Sequence, residues 1–384
     1  MKTHTTPLGL RRPVVLLPTL FLWLACIGIH SYGQTQASLI DSLVKAYYRE
    51  GKFEGAILVA DAGKVVYKNG FGWANRERNI PATPGTIFRI ASLTKQFTAV
   101  LVMQLVEARK IDLNGKITDY LPDYPKEAGS RVSVHHLLTH TSGIPEFDCP
   151  NCSLPDTLKK AYAVDDLIRQ FGRGKLAFMP GSNFRYSNMD YFILGAIIEK
   201  VTGQTYEQVL YKKIIKPLGL RHTGMDAPGL ILANKAQGYF RQGNHYSPDP
   251  EIHISNLHAA ASMYSTVEDL LKWNQALYAK PNRLLSRQSL DTMFNKTNKP
   301  LFHLGYVGYS TWIYPLQLDA TKKVIVHERR GEVGGFHSSL VRIVEAQQSI
   351  ILLSNTGTPD SVGVLYELST QIAKILQEYD RVND

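Results

Sequence analysis

Apolar residues recur along the chain with helical periods in some segments and strand periods in others. Residues 36–50 have the apolar spacing of an amphipathic helix. Two runs rich in β-forming residues follow at 56–60 and 65–67, and the Ala-Gly-Lys sequence at 62–64 between them indicates a hairpin. The Phe-Gly-Trp sequence at 71–73 is predicted to continue the edge of the same sheet.

Helical spacing dominates the middle of the sequence, and strand patterns return near its end. From about residue 110 to residue 300, nearly every periodic segment is helical, with loops rich in Pro and Gly between the segments. The further predicted helices are 92–109, 134–139, 164–171, 189–201, 205–212, 267–279 and 361–378. The predicted late strands are 308–314, 323–327, 338–343 and 349–354.

This order of elements favours an α+β fold. We expect one antiparallel β-sheet flanked by helices and built from both chain ends, at about 36–90 and 301–380, with a mostly helical inserted subdomain at about 110–300. A chain of 384 residues is long enough for two such packed parts. The active site is then expected in the cleft between them.

The first 33 residues have the features of a signal peptide. Basic residues precede an apolar run at 14–29, and the small residues Ser31 and Gly33 precede a cleavage site before Gln34. We therefore expect an exported protein, periplasmic or secreted, with residues 34–384 as its mature domain and no stable membrane span after cleavage.

Two alternatives remain for this N-terminal segment. It could stay uncleaved as an anchor, although the apolar run is short for a membrane span. Lipidation at Cys26 is the other alternative, but Trp23 stands where such a motif needs an aliphatic residue.

Charge and composition restrict the partners. Hydrophobic residues make up 44% of the chain and charged residues 20%, as in an ordinary globular enzyme. The net charge of +10 falls to +7 when residues 1–33 leave with their three basic side chains. Lys and Arg are dispersed, which argues against nucleic acid as a partner. Association with an anionic cell wall stays open.

Two cysteines remain after signal cleavage, Cys149 and Cys152, in a Cys-Pro-Asn-Cys sequence. No second Cys-x-x-Cys exists that would indicate a zinc site. In an oxidising compartment these cysteines form either a local disulfide or a pair of free thiols in a surface loop.

Ser-x-x-Lys occurs twice, at Ser92–Lys95 and at Ser42–Lys45. Ser92 opens a long apolar helix, and the spacing of three places Lys95 on the same helical face. Unpaired N–H groups and the helix dipole at that position stabilise an oxyanion, and a buried lysine there has a lowered pKa. Ser42 lies in the middle of a predicted helix. The contrast favours Ser92 as nucleophile with Lys95 as its activator.

A Tyr-Ser-Asn sequence at 186–188 provides a second catalytic candidate. It lies in a loop after Pro180 and Gly181, where catalytic groups are commonly held. A phenol beside a lysine ammonium can stay ionised and serve as base and acid, so Tyr186 is the expected proton carrier. Asn188 can orient the lysine or a substrate carbonyl. The similar Tyr-Lys-Asn at 67–69 falls in a predicted outer strand.

These residues lie within a set of motifs that resembles the class C β-lactamase and DD-peptidase family of serine hydrolases. The resemblance covers about residues 36–378, and the family's fold, a β-sheet subdomain plus a helical one, agrees with the predicted architecture. The matching segments are FRIASLTKQFTA at 88–99, VHHLLTHTSGI at 134–144, PGSNFRYSN at 180–188, PLGLRHTGM at 217–225 and YSTVED at 264–269.

The third motif of this family is atypical here. Relatives carry Lys or His, a small residue and Gly on a strand facing the serine, whereas this chain has Arg329, Arg330 and Gly331. The resemblance implies that Arg329 faces a substrate carboxylate or the tyrosine, and that Arg330 and Glu332 crowd the cleft edge. It also implies an oxyanion hole formed by the N–H groups of Ser92 and Glu332.

A metal site is the competing explanation for two histidines. His136 and His140 are four residues apart, as in some zinc-binding helices. No Glu follows His136, and the matching family segment is structural. The sequence therefore predicts no metal and no other cofactor.

The expected reaction is acyl transfer to water through an ester on Ser92. Carboxylic esters, D-amino-acid peptides and β-lactams are the candidate small-molecule substrates, because the family includes all three activities. The atypical Arg329 motif favours an esterase or D-amino-acid peptidase over a β-lactamase. A non-catalytic, penicillin-binding-like sensor of cell-wall peptides is the alternative.

Overall fold

An antiparallel sheet of eight strands forms the centre of the fold in the computed structural model of the chain. The structure describes Met1 and residues 35–146, 159–295, 300–301, 305–320 and 322–383. The predicted signal cleavage site, Cys149 and Cys152 lie outside the described residues. Thr35–Asp384 forms one compact unit.

Both chain ends contribute to the central sheet, as predicted. The strands are β1 Gly55–Asp61, β2 Lys64–Phe71, β3 Trp73–Asn75, β4 Ile80–Pro81, β5 Phe88–Arg89, β6 Gly224–Met225, β7 Tyr239–Gln242, β8 His245–Pro248, β9 Met263–Ser265, β10 Pro300–Leu301, β11 Gly305–Val307, β12 Trp312–Gln317, β13 Lys323–Val333, β14 Phe336–Ile343, β15 Gln348–Ser354 and β16 Thr356–Gly357. The central sheet has the order β10-β11-β12-β13-β14-β15-β1-β2. Gly55 of β1 pairs with Ser354 of β15, which joins the two ends.

Helices cover both faces of this sheet. The helices are Gln36–Arg49, Thr94–Glu107, Ile117–Tyr120, Lys126–Gly129, Val134–Leu138, Val164–Phe171, Asn188–Thr202, Tyr206–Leu210, Lys216–Leu218, His258–Ala261, Val267–Tyr278, Arg287–Met293 and Ser361–Asn383, with 3₁₀ turns at Ala91–Leu93 and Ile254–Leu257 and a π-helical turn at Tyr211–Ile215. No helix among these described residues is long and apolar enough to cross a bilayer.

Side chains of the central strands point alternately to the two faces of the sheet, so the hydrophobic core has two parts, one on each face. On β1, Ile57 and Val59 pack against the first and last helices, because successive side chains point to opposite faces of a strand. Ala56 and Leu58 pack toward the helical middle of the chain, against residues such as Phe97. The buried runs of β1 and β15 are therefore covered on both sides, as their nearly continuous apolar sequences require.

Three local predictions need correction. Trp73 does not extend the central sheet, because Gly72 at φ +72° breaks the strand and β3 pairs with β4 instead. Residues 308–311 are not part of a strand, since Gly308 N donates to Thr311 O in a turn that separates β11 from β12. The helical middle also contains the hairpin of β7 and β8, turned at Gly243.

Candidate active site

Ser92 lies at the start of a helix, as its sequence context predicts. It occupies the 3₁₀ turn Ala91–Leu93, which leads directly into Thr94–Glu107. Ala91 has φ +47°, and Thr94 Oγ1 donates to Ala91 O, so this turn is held in an uncommon backbone conformation. Because the first N–H groups of a helix have no intrahelical acceptor, the Ser92 N–H is suited to bind an oxyanion.

Lys95 reaches back to the serine from one turn further along. Its side chain is fully buried, and Nζ donates to Ser92 Oγ at 3.2 Å and to Asn188 Oδ1 at 2.6 Å. A third bond goes to Ala260 O at 3.1 Å. Burial lowers the pKa of the ammonium group, although the nearby Tyr186 phenol acts in the opposite direction. The second Ser-x-x-Lys differs, because Ser42 Oγ donates to Ser38 O of its own helix rather than contacting a lysine or tyrosine of the described residues.

Tyr186 contacts both Ser92 and two basic side chains. Its hydroxyl lies 2.7 Å from Ser92 Oγ, and Lys95 Nζ lies 4.9 Å from the ring centroid. Arg329 Nη2 donates to the phenolic oxygen at 2.8 Å. Burial raises the pKa of Tyr186, but the charges of Arg329 and Lys95 outweigh it and the pKa is lowered overall. The phenol is therefore the group best placed to take a proton from Ser92.

Arg329 lies beneath the site rather than at its edge. Its side chain is fully buried, and Nε donates to Ser92 O at 2.9 Å in addition to the bond to Tyr186. Only Nη1 lacks a hydrogen-bond partner among the described residues. Of the two orientations expected for Arg329, the one facing the tyrosine fits this geometry. The other orientation, toward a substrate carboxylate, is not tested by these contacts.

The two other charged residues of the motif behave differently from each other. Arg330 forms a bidentate pair with the buried Glu328, at 2.6 and 2.9 Å, and its guanidinium also lies 5.4 Å from the Trp312 ring. Its charge is thus neutralised. Glu332 is exposed and has no ion pair within the described part of the chain. Crowding of the cleft edge was expected from both residues, but Glu332 is the one that presents an uncompensated charge.

Gly331 brings strand β13 against the nucleophile. Strand β12 pairs with β13 only as far as Glu328 among the described residues, so the next residues of β13 present an open edge. A Cβ at Gly331 would lie 2.7 Å from Ser92 N and 2.5 Å from Ile90 O, which no side chain tolerates. This close approach is compatible with the expected oxyanion hole, formed by the N–H groups of Ser92 and Glu332.

Glu146 is a site residue that sequence reasoning missed. Its carboxylate accepts from the backbone N of Asn188 at 2.5 Å and from Asn188 Nδ2 at 2.6 Å. Because Glu146 holds Nδ2 of this amide, Asn188 Oδ1 is turned toward Lys95 Nζ. The only available signal was a carboxylate directly after the Ser-Gly-Ile-Pro segment at 142–145.

The two histidines considered as metal ligands serve other purposes. His136 Nδ1 accepts from Ser133 N at 3.2 Å and so caps its helix. His140 is fully buried, with its ring 4.6 Å from that of Tyr186. Within the described residues no group of three or more His, Cys, Asp or Glu side chains could hold a metal ion.

A cavity of about 410 Å³ opens over these groups, a size that fits a small molecule. Ser92, Tyr186 and Asn188 line one side of it, and Trp312, Glu332 and Leu365 line others.

Comparison with known proteins places the chain in a family. A family model for beta-lactamase matches residues 40–374. Protein flp from Staphylococcus aureus (strain COL) is 27% identical over 342 residues, which cover 87% of this chain. They cover 66% of flp, so the chain spans just under two thirds of that relative's length.

Two solved structures support the same assignment. The octameric penicillin-binding protein homologue from Pyrococcus abyssi is 28% identical, with a TM-score of 0.75 over 88% of this chain and 78% of that one. The D-amino acid amidase from Ochrobactrum anthropi SV3 is 26% identical, with a TM-score of 0.76 over 89% of this chain and 98% of that one. These likenesses confirm the predicted α+β architecture, and the chain belongs to the beta-lactamase family.

Proposed function

We propose that this protein is a serine hydrolase that cleaves esters or amides of D-amino acids through an acyl-enzyme on Ser92. The observation that carries the proposal is the position of Tyr186 OH, 2.7 Å from Ser92 Oγ and 2.8 Å from Arg329 Nη2. This arrangement provides a nucleophile, a proton acceptor and a fixed charge that stabilises the acceptor's anion.

Acylation uses these groups in order. The Tyr186 phenolate takes the proton from Ser92 Oγ as the oxygen attacks the substrate carbonyl carbon. The carbonyl oxygen becomes an oxyanion, which the N–H groups of Ser92 and Glu332 hold. The Tyr186 hydroxyl then donates its proton to the leaving amine or alcohol as the carbon–leaving-group bond breaks. The acyl group is left as an ester on Ser92.

Deacylation repeats the proton movement with water. Tyr186, again a phenolate, takes a proton from water, whose oxygen attacks the ester carbonyl. As the second oxyanion collapses, the bond between the acyl carbon and Ser92 Oγ breaks, the Tyr186 hydroxyl gives its proton to Ser92 Oγ, and the acid is released. Lys95 remains hydrogen-bonded to Ser92 Oγ and Asn188 Oδ1, so its charge supports the alkoxide in both halves.

The substrate class follows from the charges on the cavity wall. Arg329 and Arg330 are engaged with Tyr186 and Glu328, whereas Glu332 is exposed and without an ion pair in the described chain. An uncompensated carboxylate near the nucleophile favours a substrate with an ammonium group, as an amino-acid ester or amide has. The likeness to a D-amino acid amidase supports the same class.

The test compares three substrates: a D-amino-acid amide, the neutral p-nitrophenyl acetate, and the β-lactam nitrocefin. We expect the amino-acid amide and the ester to be hydrolysed much faster than nitrocefin, and Ser92→Ala to lose all three activities. Glu332→Gln should raise KM for the amino-acid amide about tenfold and leave p-nitrophenyl acetate unchanged. Fast nitrocefin turnover, or an equal effect of Glu332→Gln on both other substrates, would contradict the substrate class.

Location stays a separate proposal. Export rests on the sequence of residues 1–33, and contact with anionic cell-wall polymers rests on the net positive charge of the chain. Cell fractionation with an antibody, comparing the full chain with one that begins at Gln34, tests export directly.

A further inference from the structure

A second cavity, of about 1040 Å³, lies apart from Ser92 and shares no lining residue with the first. It is formed where the end of the helix Val267–Tyr278 and the helix Arg287–Met293 meet strands β13 and β14. His327 and Arg342, which pair across β13 and β14, line its sheet side.

Arg342 is the unusual group in this cavity. The residue is 6% exposed, and within the described part of the chain its guanidinium donates a single, long hydrogen bond, from Nη1 to Ser349 Oγ at 3.4 Å. Among the described residues, Nε has no hydrogen-bond partner and no carboxylate forms an ion pair with the guanidinium. The guanidinium carbon lies 4.5 Å from the centroid of the Tyr278 ring.

A buried guanidinium needs a compensating group. Arginine keeps its charge at any ordinary pH, and a buried charge is costly unless it is paired and hydrogen-bonded. The face of Tyr278 supplies part of this compensation through a cation–π contact. Some N–H groups of the Arg342 guanidinium still lack an acceptor. The planar arrangement of these donors matches the oxygens of a carboxylate or phosphate.

The wall beside Arg342 is flat and aromatic. The rings of Tyr278 and Phe294 are stacked, with centroids 5.4 Å apart and planes 12° apart. His327 Nδ1 lies 2.7 Å from Tyr278 OH, which fixes the orientation of the tyrosine. A ring or another flat apolar group can pack on such a surface.

The remaining charges do not supply a counter-ion for Arg342. On the rim, Arg287 pairs with Asp291 at 2.8 Å. Lys280 and Glu345 also line the cavity, but both are exposed, so water solvates their charges. These two charges are of opposite sign and offset each other.

From these observations we propose that the cavity is a second ligand site, which takes an organic anion with a carboxylate or phosphate head on Arg342 and a flat apolar body against Tyr278 and Phe294. The site is distinct from the hydrolytic one and does not depend on the proposed function of Ser92.

The test measures binding of benzoate, phenyl phosphate and the neutral benzamide to the full chain by calorimetry and by thermal unfolding. At least one of the two anions should bind and raise the unfolding temperature, while benzamide should not. Tighter binding of benzoate would identify the preferred head group as a carboxylate, and tighter binding of phenyl phosphate would identify it as a phosphate. Arg342→Met should weaken that binding at least about tenfold.

Arg287→Met is the matched control, because it removes an exposed and already paired arginine at the rim of the same cavity. It should leave anion binding unchanged. Ligand-free Arg342→Met should unfold at a higher temperature than the wild type, since an uncompensated buried charge has been removed. A merely structural arginine would give the opposite, with a lower unfolding temperature and no loss of anion affinity.

If Arg342→Met does not fold, Arg342→Lys is measured in the same way. It keeps the charge but loses the planar fork, so we expect affinity to fall several-fold. Anion binding that is unaffected in every folded Arg342 variant, or absent from the wild type for both anions, would overturn the proposal.

Discussion

Arg329 donates from Nη2 to the phenolic oxygen of Tyr186 at 2.8 Å, and the same guanidinium is anchored through Nε to Ser92 O at 2.9 Å. A guanidinium cannot give up a proton at ordinary pH. Tyr186 is therefore the group of this pair that can carry one. The unusual arginine of this chain thus fits a role as a fixed charge that favours the phenolate.

Removing this charge should move the pH profile. If the Tyr186 phenolate is the base, kcat/KM rises as pH passes through the Tyr186 pKa, which Arg329 lowers. In Arg329→Met we expect that rise to move to higher pH by about one to three units, with a matching loss of activity at pH 7. Arg329→Lys keeps a charge and should retain more of the wild-type profile.

The same variant separates two roles of Arg329. Because the arginine contacts Tyr186, we expect Arg329→Met to lower kcat/KM equally for neutral and carboxylate-bearing esters. A loss confined to the carboxylate-bearing ester, with an unshifted pH profile, would show substrate binding instead.

Lys95 and Tyr186 should behave as one unit with Ser92. Lys95 Nζ and Tyr186 OH contact the same serine oxygen, at 3.2 and 2.7 Å. We expect Lys95→Ala and Tyr186→Phe each to lower kcat by about a thousandfold or more, and the double variant to lose little beyond that. Multiplicative losses in single-turnover measurements would indicate separate roles.

Glu146 should act on the reaction through Asn188. Its two hydrogen bonds to Asn188 leave Oδ1 facing Lys95, so Glu146→Gln should disturb the lysine without removing a reacting group. We expect kcat to fall about tenfold to a hundredfold, while KM changes little. Asn188→Ala removes both the side-chain bond to Glu146 and the bond to Lys95, so adding Glu146→Gln to Asn188→Ala should cost little more than Asn188→Ala alone. Fully additive losses of kcat would show that Glu146 does not act through Asn188.

Most of the fold could be predicted because its strands and helices have clear apolar periods. The buried residues of β1 and β15 and the capped helix after Ser133 are local signals of this kind. The predicted strand at 323–327 continues to Val333 in the structure. Its polar continuation, Glu328 to Arg330, is tolerated because Arg330 pairs with Glu328 and Arg329 with Tyr186. Neither pair leaves a periodic signal: Arg330 and Glu328 are two residues apart on the same strand, and Arg329 and Tyr186 are 143 residues apart in the sequence.

In the candidate site, too, local contacts could be predicted from the sequence and contacts between distant segments could not. Ser92 and Lys95 are one helical turn apart, so their proximity follows from local geometry. Tyr186 was predicted from the Tyr-Ser-Asn sequence and Arg329 from the resemblance to the third motif of the family. Glu146 meets Asn188 across 42 residues, and neither spacing nor composition indicates that contact.

Gly331 should tolerate no side chain. An alanine Cβ there would lie 2.5 Å from Ile90 O and 2.7 Å from Ser92 N, so β13 would have to move away from the nucleophile. We expect Gly331→Ala to lower the free energy of unfolding by about 1–3 kcal/mol and to remove most activity. Gly85→Ala is the control, since its nearest neighbour, Thr83 Oγ1, lies 3.8 Å away. Unchanged activity and unfolding temperature in Gly331→Ala would contradict the close packing of β13 on Ser92.

The central claim is that Ser92 forms the covalent intermediate, and trapping that intermediate tests it most directly. The protein is treated with a fluorophosphonate, digested, and the modified residue is located by mass spectrometry. We expect one label, on Ser92, which is absent from Ser92→Ala and undiminished in Ser42→Ala, because Ser42 Oγ is hydrogen-bonded to Ser38 O within its own helix. A label on another residue, together with hydrolysis that survives in Ser92→Ala, would contradict the account.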